Sequence, residues 1–168
     1  MIKAIVAVDE KWGIGKNNDL LFHIPEDMKF FRSTTLNKTV VMGSNTLKSF
    51  PGGNPLPKRR NIVLYPGGEK RSDCEIVESL DELKTVLSEI ENEEIFIIGG
   101  AMFYRTMLDY CDEVLVTKVE ADGEAQVFFE NLDEREGFEC VFVSEPVVTE
   151  GYTIRFTTYK NHAVKKFI

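Results

Sequence analysis

Cysteine and histidine are scarce in this chain of 168 residues. The cysteines Cys74, Cys111 and Cys140 are widely spaced and odd in number, which predicts neither a disulfide framework nor a zinc site. The two histidines, His23 and His162, offer little for metal ligation or for a Ser-His-Asp triad. We therefore expect no bound metal and no triad-based hydrolysis, and the free cysteines indicate a reducing, cytoplasmic setting.

Long apolar runs and an excess of basic residues are also missing. No segment approaches the roughly 18 apolar residues of a membrane helix, and the first apolar run, residues 4–8, indicates a strand rather than an export signal. The 28 acidic residues outnumber the 20 basic ones and give a net charge of −8. Neither a membrane nor a nucleic acid is an expected partner. A few local bases could still form a positive pocket for a small anionic ligand.

What the sequence does contain is an alternation of apolar, β-branched segments with helical patterns. Seven segments are typical of strands: residues 2–8, 39–42, 61–65, 94–98, 113–119, 140–144 and 152–159. Helices are predicted at residues 25–36, briefly after Gly43, and at residues 80–90 and 102–108. The alternation predicts an α/β fold with a mostly parallel sheet of seven or eight strands and an antiparallel C-terminal hairpin. We expect a single domain over residues 1–168 with about four helices.

Asp27 lies in the first turn of the first predicted helix. It follows residues 9–23, which together with residues 50–60 are predicted to be long loops. Helical spacing places Asp27 and Phe31 on one face. An acid at this position often only interacts with the helix dipole, and Glu26 fits that role equally well. Beside aromatic residues, the Asp27 carboxylate could instead grip a flat, amidine-like edge through two hydrogen bonds.

Two strand patterns run through glycine directly into a helical pattern. The segment IFIIGGAMFY contains Gly99 and Gly100, and MGSNT contains Gly43. Glycine permits close backbone approach to a ligand, and the start of a helix attracts phosphate. Neither segment is a GxGxxG fingerprint, and close strand-to-helix packing is the alternative interpretation. Two such turns on one sheet favour a dinucleotide that straddles the strand ends.

Six segments resemble the dihydrofolate reductase family, and they follow one another in the family's order and spacing along nearly the whole chain. These segments are AIVAVDEKWGIGKNNDL, IPEDMKFFRSTT, VVMGSNT, LPKRRNIVL, EIFIIGGAMFY and EVLVTKV. The resemblance implies a central eight-stranded sheet with flanking helices and a mobile loop over residues 12–21. It also implies a cleft in which a folate lies beside a nicotinamide.

The resemblance assigns substrate contacts to matching residues. Asp27 is similar to the family's carboxylate that binds N3 and the 2-amino group of the pteridine, and the Thr117 hydroxyl would support it; these two are the implied catalytic residues. Arg59 matches the arginine that pairs with the carboxylate of the glutamate tail, where a guanidinium fork suits the geometry. The full implied substrate set is Ile5, Val6, Ala7, Asp27, Met28, Phe31, Phe50, Leu56, Arg59, Ile98, Tyr104 and Thr117.

The same resemblance implies NADPH as the cofactor. Its nicotinamide would lie near the first strand and the loop that follows, and its phosphates near the two glycine turns. The Gly99–Gly100 bond is expected to be cis. The implied cofactor set is Ala7, Ile14, Gly15, Gly43, Ser44, Asn45, Thr46, Leu64, Tyr65, Pro66, Ile98, Gly99, Gly100, Ala101, Met102 and Phe103.

The implied activity is hydride transfer from NADPH to C6 of dihydrofolate, which gives tetrahydrofolate for one-carbon metabolism. The resemblance also implies a monomer that binds antifolate inhibitors. A pyrimidine reductase of riboflavin synthesis would share the fold, but it would not be expected to carry Asp27, Phe31 and Arg59 together. A non-catalytic folate-binding protein would need the folate pocket but no nicotinamide site.

Some positions depart from the family's pattern. Phe22 replaces the usual tryptophan, and Gln126 stands where family members often have aspartate, so the water network and the lid dynamics are expected to differ. The pocket that resembles the family's 2′-phosphate site lacks basic side chains, which predicts a shallow preference for NADPH over NADH. Lys70 and Arg71 could reach back and restore part of that preference. The pocket positions are Ser44, Asn45, Tyr65, Pro66 and Met102.

Overall fold

The computed structural model describes residues 1–91 and 93–168 and has an α/β fold. None of the helices in these ranges is long and apolar enough to cross a membrane. The helices are α1 (Pro25–Thr35), α2 (Ser44–Ser49), α3 (Leu80–Ser88) and α4 (Ala101–Met107), with 3₁₀ turns at Pro51–Gly53 and Leu108–Tyr110. The strands are β1 (Ile2–Val8), β2 (Gly13–Lys16), β3 (Asp19–Leu20), β4 (Thr39–Gly43), β5 (Arg60–Leu64), β6 (Glu75–Val77), β7 (Ile95–Ile97), β8 (Glu113–Val119), β9 (Val127–Phe128), β10 (Phe138–Val143), β11 (Val147–Thr149) and β12 (Tyr152–Asn161).

The main sheet has the strand order β10-β12-β8-β1-β7-β4-β5-β6, and the short strand β11 pairs with β12 at one edge. From β8 to β6 every neighbouring pair is parallel. Strand β12 is antiparallel to β8, and β10 is antiparallel to β12. The predicted α/β class, the mostly parallel sheet and the antiparallel C-terminal hairpin are confirmed.

Alternate residues of the strands pack into two apolar layers, one on each face of the sheet. Along β4, Val41 belongs to the layer that includes α3 and α4, whereas Val40 and Met42 belong to the layer that includes α1 and α2. All three side chains are fully buried, as expected for a parallel strand that helices cover on both faces. The two layers therefore hold helices on opposite faces of the sheet.

A second, small sheet forms where the sequence predicts a long loop. Strand β2 pairs antiparallel with both β3 and β9, and we call this unit the lid sheet. The prediction of a loop over residues 9–23 is therefore wrong at β2 and β3. Asn17 and Asn18, which join these strands, have positive φ angles of 53° and 60°. Paired left-handed residues are typical of a tight hairpin turn, so the two asparagines were the available signal.

The remaining differences lie at element ends and in very short strands. Strand β5 begins at Arg60 and ends at Leu64, one residue before its predicted bounds at both ends, and β12 extends to Asn161. Strands β6 and β11 were not predicted. Each has only three residues, which carry too little of a periodic pattern to be distinguished from a loop.

The main sheet opens between β1 and β7 at its carboxyl end. The ladder between these strands joins residues 2–4 to residues 95–97 and then stops, whereas β1 stays paired with β8 as far as Val8. Beyond the ladder, the Tyr104 hydroxyl donates a hydrogen bond to the Ile5 carbonyl at 2.7 Å. Open α/β sheets bind their ligands in a crevice beyond the carboxyl ends of the strands, so this opening is the natural place for a site.

Candidate active site

Asp27 is a half-buried carboxylate in the first turn of α1. Burial raises the pKa of Asp27 above its ordinary value, and a hydrogen bond from the Thr117 hydroxyl lowers it by less. Basic side chains are not among the causes of this shift. The neighbouring Glu26 is exposed, as an acid that only interacts with the helix dipole would be. The contrast between the two acids favours a ligand-binding role for Asp27.

Two buried side chains, Thr117 and Tyr104, lie near this carboxylate. Strand pairing places Thr117 of β8 beside Ala7 of β1, and Thr117 is only 2% exposed. Tyr104 of α4 is buried, and both its burial and the nearby charge of Asp27 raise the pKa of its hydroxyl. That hydroxyl bonds to the carbonyl of Ile5. The structure thus brings five predicted substrate residues together beside the crevice, and one of them, Ala7, also belongs to the predicted cofactor set.

Apolar side chains form a wall in the layer that includes α1 and α2. Met28 does not join it, since its side chain is 53% exposed. Phe22, at the position of the family's usual tryptophan, packs edge-on against Tyr152 with ring centroids 5.2 Å apart. Of the residues expected around the folate rings, this layer contains Ile5, Phe31, Phe50, Leu56 and Ile98.

Arg59 lies next to this wall, with its guanidinium carbon 5.9 Å from the centre of the Phe31 ring. Its Nε is buried and has no hydrogen-bond partner among the described residues. Burial, and secondarily the charge of Arg32, lower the pKa of Arg59. The side chain of Asn61 bonds to the backbone of Leu56 and of Arg59 and so fixes the loop that carries the arginine. A partly buried guanidinium whose Nε has no partner among the described residues is suited to an anionic ligand.

The two glycine turns meet at the carboxyl ends of β4 and β7. The Gly43 N–H donates to the Gly99 carbonyl at 2.8 Å, and the Gly99–Gly100 bond is cis, as predicted. Gly43 and Gly100 are the N-cap residues of α2 and α4, and neither start has a side-chain cap. A Cβ atom on Gly99 would lie 3.3 Å from the Thr46 hydroxyl. The turns therefore form a strip of bare backbone that a ligand can approach closely.

Other predicted cofactor residues adjoin this strip. Strand register places Gly43 beside Leu64, so the end of β5, with Tyr65 and Pro66, lies next to the start of α2. In the first turn of α4, Met102 is 79% exposed. The remaining members of the set at these two helix starts are Ser44, Asn45, Ala101 and Phe103.

Lys70 and Arg71, which could compensate for the missing bases of the predicted 2′-phosphate pocket, make other interactions. The Lys70 amine donates to a backbone carbonyl of β6 at 2.7 Å, and Arg71 is paired with Asp73. Lys48, which the sequence did not single out, lies with its amine 4.8 Å from the centre of the Tyr65 ring. The proximity of Lys48 to Tyr65 depends on the fold, so no local sequence pattern indicates it.

Ile14 and Gly15, the predicted nicotinamide contacts, lie on β2 of the lid sheet. Ile14 is partly buried against the core. Gln126 forms two hydrogen bonds with β2 and the turn that follows it. Its N–H donates to the Gly15 carbonyl, and its side-chain oxygen accepts from the Asn17 N–H, both at 2.9 Å. The glutamine at this position therefore still ties the lid sheet to the segment before β9.

Asp9 and Trp12 are structural contributors that the sequence analysis missed. One Asp9 oxygen accepts from the N–H groups of Lys11 and Gly13, and the other accepts from the N–H of Gly123. The Trp12 ring is buried and packs against the rings of Phe129 and Tyr159. An acidic residue directly after a buried strand was the available signal for Asp9, because a buried carboxylate must find hydrogen-bond donors.

Comparisons with known proteins show the family to which the chain belongs. A family model described as dihydrofolate reductase matches residues 1–161. A dihydrofolate reductase of Bacillus subtilis (strain 168) is 36% identical over 135 residues, covering 80% of this chain and 78% of that protein. One from Staphylococcus haemolyticus is 39% identical over 129 residues, covering 76% and 75%. One from Neisseria gonorrhoeae is 33% identical over 159 residues, covering 94% and 96%. This chain belongs to the dihydrofolate reductase family.

Proposed function

We propose that this chain reduces dihydrofolate to tetrahydrofolate with NADPH as the reductant and thereby supplies tetrahydrofolate for one-carbon metabolism. The three relatives described above carry the name dihydrofolate reductase. The observation that supports the proposal most strongly is the half-buried carboxylate of Asp27, which lies with Thr117 and Tyr104 beside the crevice between β1 and β7.

Asp27 recognises the pteridine. Its two carboxylate oxygens accept hydrogen bonds from N3 and from the 2-amino group, a planar pair of donors that matches a carboxylate edge. The Thr117 hydroxyl, which lowers the pKa of Asp27, is placed to donate to the same carboxylate and to orient it. The apolar wall beside Asp27 excludes water, which strengthens these hydrogen bonds and stabilises positive charge that develops on the ring.

The reaction needs a hydride at C6 and a proton at N5. The nicotinamide cofactor supplies the hydride. Asp27 reaches the opposite side of the ring, so the N5 proton comes through water rather than directly from this carboxylate. Asp27 therefore contributes by orientation and electrostatics, and Thr117 contributes by positioning Asp27.

Arg59 binds the carboxylate of the glutamate tail. Its Nε is buried without a partner among the described residues, and leaving such a donor unsatisfied is unfavourable. A carboxylate would accept from Nε and from one terminal nitrogen of the guanidinium fork. The tail of the substrate supplies that group.

The residues that would hold the cofactor are those of the bare strip and the lid sheet. Gly43, Gly99 and Gly100 leave room for close approach of a pyrophosphate, and the uncapped N–H groups at the starts of α2 and α4 offer hydrogen bonds. Ile14 and Gly15 of β2 would contact the nicotinamide end. These features fit a dinucleotide, because its phosphates bind to backbone and its ring binds to apolar surface.

The test is an assay of the reduced-nicotinamide absorbance band with purified protein. We expect the absorbance to fall only when dihydrofolate and NADPH are both present. A protein that binds dihydrofolate without any loss of absorbance would be a folate-binding protein. Oxidation of NADPH with the pyrimidine substrate of riboflavin synthesis, but not with dihydrofolate, would support the rival reductase instead.

We also propose that residues 1–168 act as a single domain and as a monomer that binds antifolates. Strands from the beginning, middle and end of the chain share the main sheet, which supports one folding unit. Sedimentation analysis should give a mass near 19.1 kDa, and unfolding should be a single transition. A mass of twice that value, or two separate transitions, would contradict this proposal.

A further inference from the structure

A pocket of about 420 Å³ lies between α4 and the end of β9, and we call it the β9 pocket. Tyr104 and Arg105 line it from α4, whereas Phe128, Phe129 and Glu130 line it from β9 and the residues that follow. Its volume lies in the range of about 300–1,000 Å³ that is typical of small-molecule sites. Of these residues only Tyr104 belongs to the predicted substrate or cofactor sets. The β9 pocket therefore adjoins the crevice but is built mainly from other residues.

The wall of the β9 pocket is aromatic. The rings of Tyr104 and Phe129 pack edge to face, with their centroids 5.1 Å apart. Phe128 is 46% exposed, although it is a large apolar side chain. A flat apolar ligand would gain free energy by covering Phe128, because removal of apolar surface from water is favourable. Aromatic rings also favour edge-on or offset contacts with other rings, so the wall favours an aromatic ligand.

The rim of the β9 pocket carries two opposite charges, and the protein neutralises only one of them. Glu130 is paired with Arg135. Arg105 is exposed, and among residues 1–91 and 93–168 no acid lies within ion-pair distance of its guanidinium. A guanidinium fork matches the geometry of a carboxylate, which it binds through two parallel hydrogen bonds. The charge that the pocket offers to a ligand is therefore positive.

The combination of these features matters more than any one of them. An exposed arginine or an exposed phenylalanine is common on a protein surface and by itself indicates nothing. Here Arg105 and Phe128 line the same concave site from two different elements, and a buried aromatic ring, Phe129, forms part of the wall between them. A ligand that has both a ring and an acid would satisfy both side chains at once.

We propose that the β9 pocket binds a small aromatic carboxylate, whose ring covers Phe128 and whose carboxylate pairs with Arg105. This is a second ligand site beside the proposed crevice, and it does not depend on the proposed reduction. Strand β9 is paired with β2, so a ligand in the β9 pocket would contact the lid sheet and α4 together.

The experiment is isothermal titration with para-phenylbenzoate and with its neutral analogue, para-phenylbenzamide. The protein carries folate and oxidised cofactor at concentrations that saturate their own binding, so that the crevice is filled. For the parent we expect para-phenylbenzoate to bind with a dissociation constant of about 0.1–1 mM, as its small number of atoms implies. The amide should bind about three- to tenfold more weakly, because it lacks the charge that pairs with Arg105.

Arg105→Gln tests the source of this preference for the acid. It should weaken the binding of para-phenylbenzoate about three- to tenfold and leave the affinity for the amide within about twofold. Lys166→Gln is the matched control, since it removes the same charge from an exposed position that does not line the β9 pocket. It should change neither affinity.

Phe128→Thr tests the aromatic wall. Threonine suits a strand, and Phe128 is exposed, so the fold should be retained. Both ligands should bind at least about threefold more weakly, because each loses the apolar surface that its ring covers. Thermal unfolding of the variant checks that the loss does not come from a damaged fold.

Trp12 gives a second readout that locates the ligand without any substitution. It is the one tryptophan of the chain, and its ring stacks with that of Phe129 at a centroid distance of 6.3 Å. In nitrogen-labelled protein its indole N–H gives a single resonance, which should shift as para-phenylbenzoate saturates the β9 pocket. A resonance that stays unchanged at saturation would place the ligand elsewhere and overturn the proposal.

Three results of the titrations would also overturn it. One is the absence of binding once folate and oxidised cofactor fill the crevice, since the acid would then have occupied the crevice itself. Another is equal affinity of the parent for the acid and the amide. The third is an equal loss of both affinities in Arg105→Gln, because Arg105 would then act through packing. None of these titrations involves turnover, so a failure of the proposed reduction is recognised separately, by the absorbance assay.

Discussion

The two sides of the crevice that we propose for the substrate and for the cofactor are built from different chemical groups. On the substrate side, Asp27 and Arg59 carry charges that no ion pair among the described residues neutralises, and they lie beside an apolar wall. On the cofactor side, the recognisable feature is bare backbone at Gly43, Gly99 and Gly100, and the nearby bases Lys70 and Arg71 are bonded elsewhere. The substrate side therefore depends on groups that are present, and the cofactor side depends on space that is left free.

This difference has a direct consequence for mutagenesis. Removing a side chain should damage the substrate side, because a specific hydrogen-bond partner is lost. Adding a side chain should damage the cofactor side, because the free space is filled. Each class of substitution should leave the other ligand's affinity nearly unchanged, since the two sets of residues do not share these groups.

The largest effect is expected for Asp27→Asn. An amide cannot accept both pteridine hydrogen bonds, and loss of a buried, charged hydrogen bond costs about 1.5–3 kcal/mol or more, which is roughly a 10- to 150-fold fall in kcat/KM for dihydrofolate at pH 7. The affinity for NADPH should change by less than about twofold. Glu26→Gln is the control and should be nearly silent, because Glu26 is exposed. Turnover of Asp27→Asn within twofold of the parent would make this assignment wrong.

Arg59→Ala should have the next largest effect, and it should distinguish ligands that have a glutamate tail from ligands that lack one. Folates with a glutamate tail should bind about ten- to 100-fold more weakly, since a partly buried charge pair is lost. Small diaminopyrimidine inhibitors have no tail, so their affinity should stay nearly unchanged. Titration calorimetry with both ligand types measures the difference. If both lost affinity equally, Arg59 would be a structural residue.

Gly43→Ala tests the cofactor side by adding a methyl group. Its φ angle is −82°, and an added Cβ would meet its neighbours only at 3.9 Å, so the fold should tolerate alanine. The new methyl group occupies the bare strip, and we expect NADPH to bind at least about fivefold more weakly, in line with an overpacking cost of about 1–3 kcal/mol. Folate affinity should not change. Equal NADPH affinity in the variant and the parent would mean that the cofactor does not approach the strip.

A smaller effect concerns the stability of the fold, and it distinguishes a half-buried acid, Asp27, from an ion-paired acid, Glu94. Burial raises the pKa of Asp27 in the folded state, so the stability that its protonated form contributes is complete below its unfolded pKa and is lost as the pH rises through its folded value. Asparagine never ionises. Relative to the parent, Asp27→Asn should therefore become more stable as the pH rises to neutrality. Urea unfolding at several pH values measures this trend.

The pKa of Glu94 is shifted in the opposite direction to that of Asp27. Hydrogen bonds from Lys3 and Lys38 lower the pKa of Glu94 to about 2. Its contribution to stability is present above its unfolded pKa and is lost as the pH falls toward 2. Glu94→Gln should thus lose stability relative to the parent at neutral pH and approach it in acid. Parallel trends for the two variants would contradict the opposite shifts assigned to these acids.

The smallest expected effect comes from the double variant Lys70→Ala, Arg71→Ala. Both bases are engaged away from the cofactor strip, so the preference for NADPH over NADH should change by less than about twofold. We expect the parent's preference itself to be shallow. Comparison of kcat/KM with both cofactors at low and high salt measures it. A preference above about a thousandfold that survives in the double variant would require phosphate contacts from other groups, roughly 4 kcal/mol of them.

Much of the main sheet could be predicted because its strands are long, apolar and buried. The bounds of β1 and β8 agree with the pattern, and α3 begins at Leu80, as the pattern predicts. Strands β2, β3 and β9 could not be predicted in the same way. They are short, and the pairing of β2 with β9 joins residues more than a hundred positions apart, which no local pattern encodes. The one local signal is the asparagine pair in the turn between β2 and β3.

Some features of the candidate site could likewise be predicted from the sequence, and others could not. The pattern of the residues alone left Asp27 open between two roles, and its half-burial near Thr117 favours the ligand-binding role. Asp9 was missed because the feature that distinguishes it arises from tertiary structure. It accepts a hydrogen bond from the N–H of Gly123, far away in the sequence.

The central claim is that this chain itself carries out the reduction, with Asp27 as the group that recognises the pteridine. The most direct measurement is the stoichiometry of the reaction, with NADPH loss followed by absorbance and tetrahydrofolate identified by chromatography. The account predicts one tetrahydrofolate formed for each NADPH consumed by the parent, and a rate at least about tenfold lower for Asp27→Asn. Binding of both ligands without formation of tetrahydrofolate, or equal rates for the parent and Asp27→Asn, would contradict it.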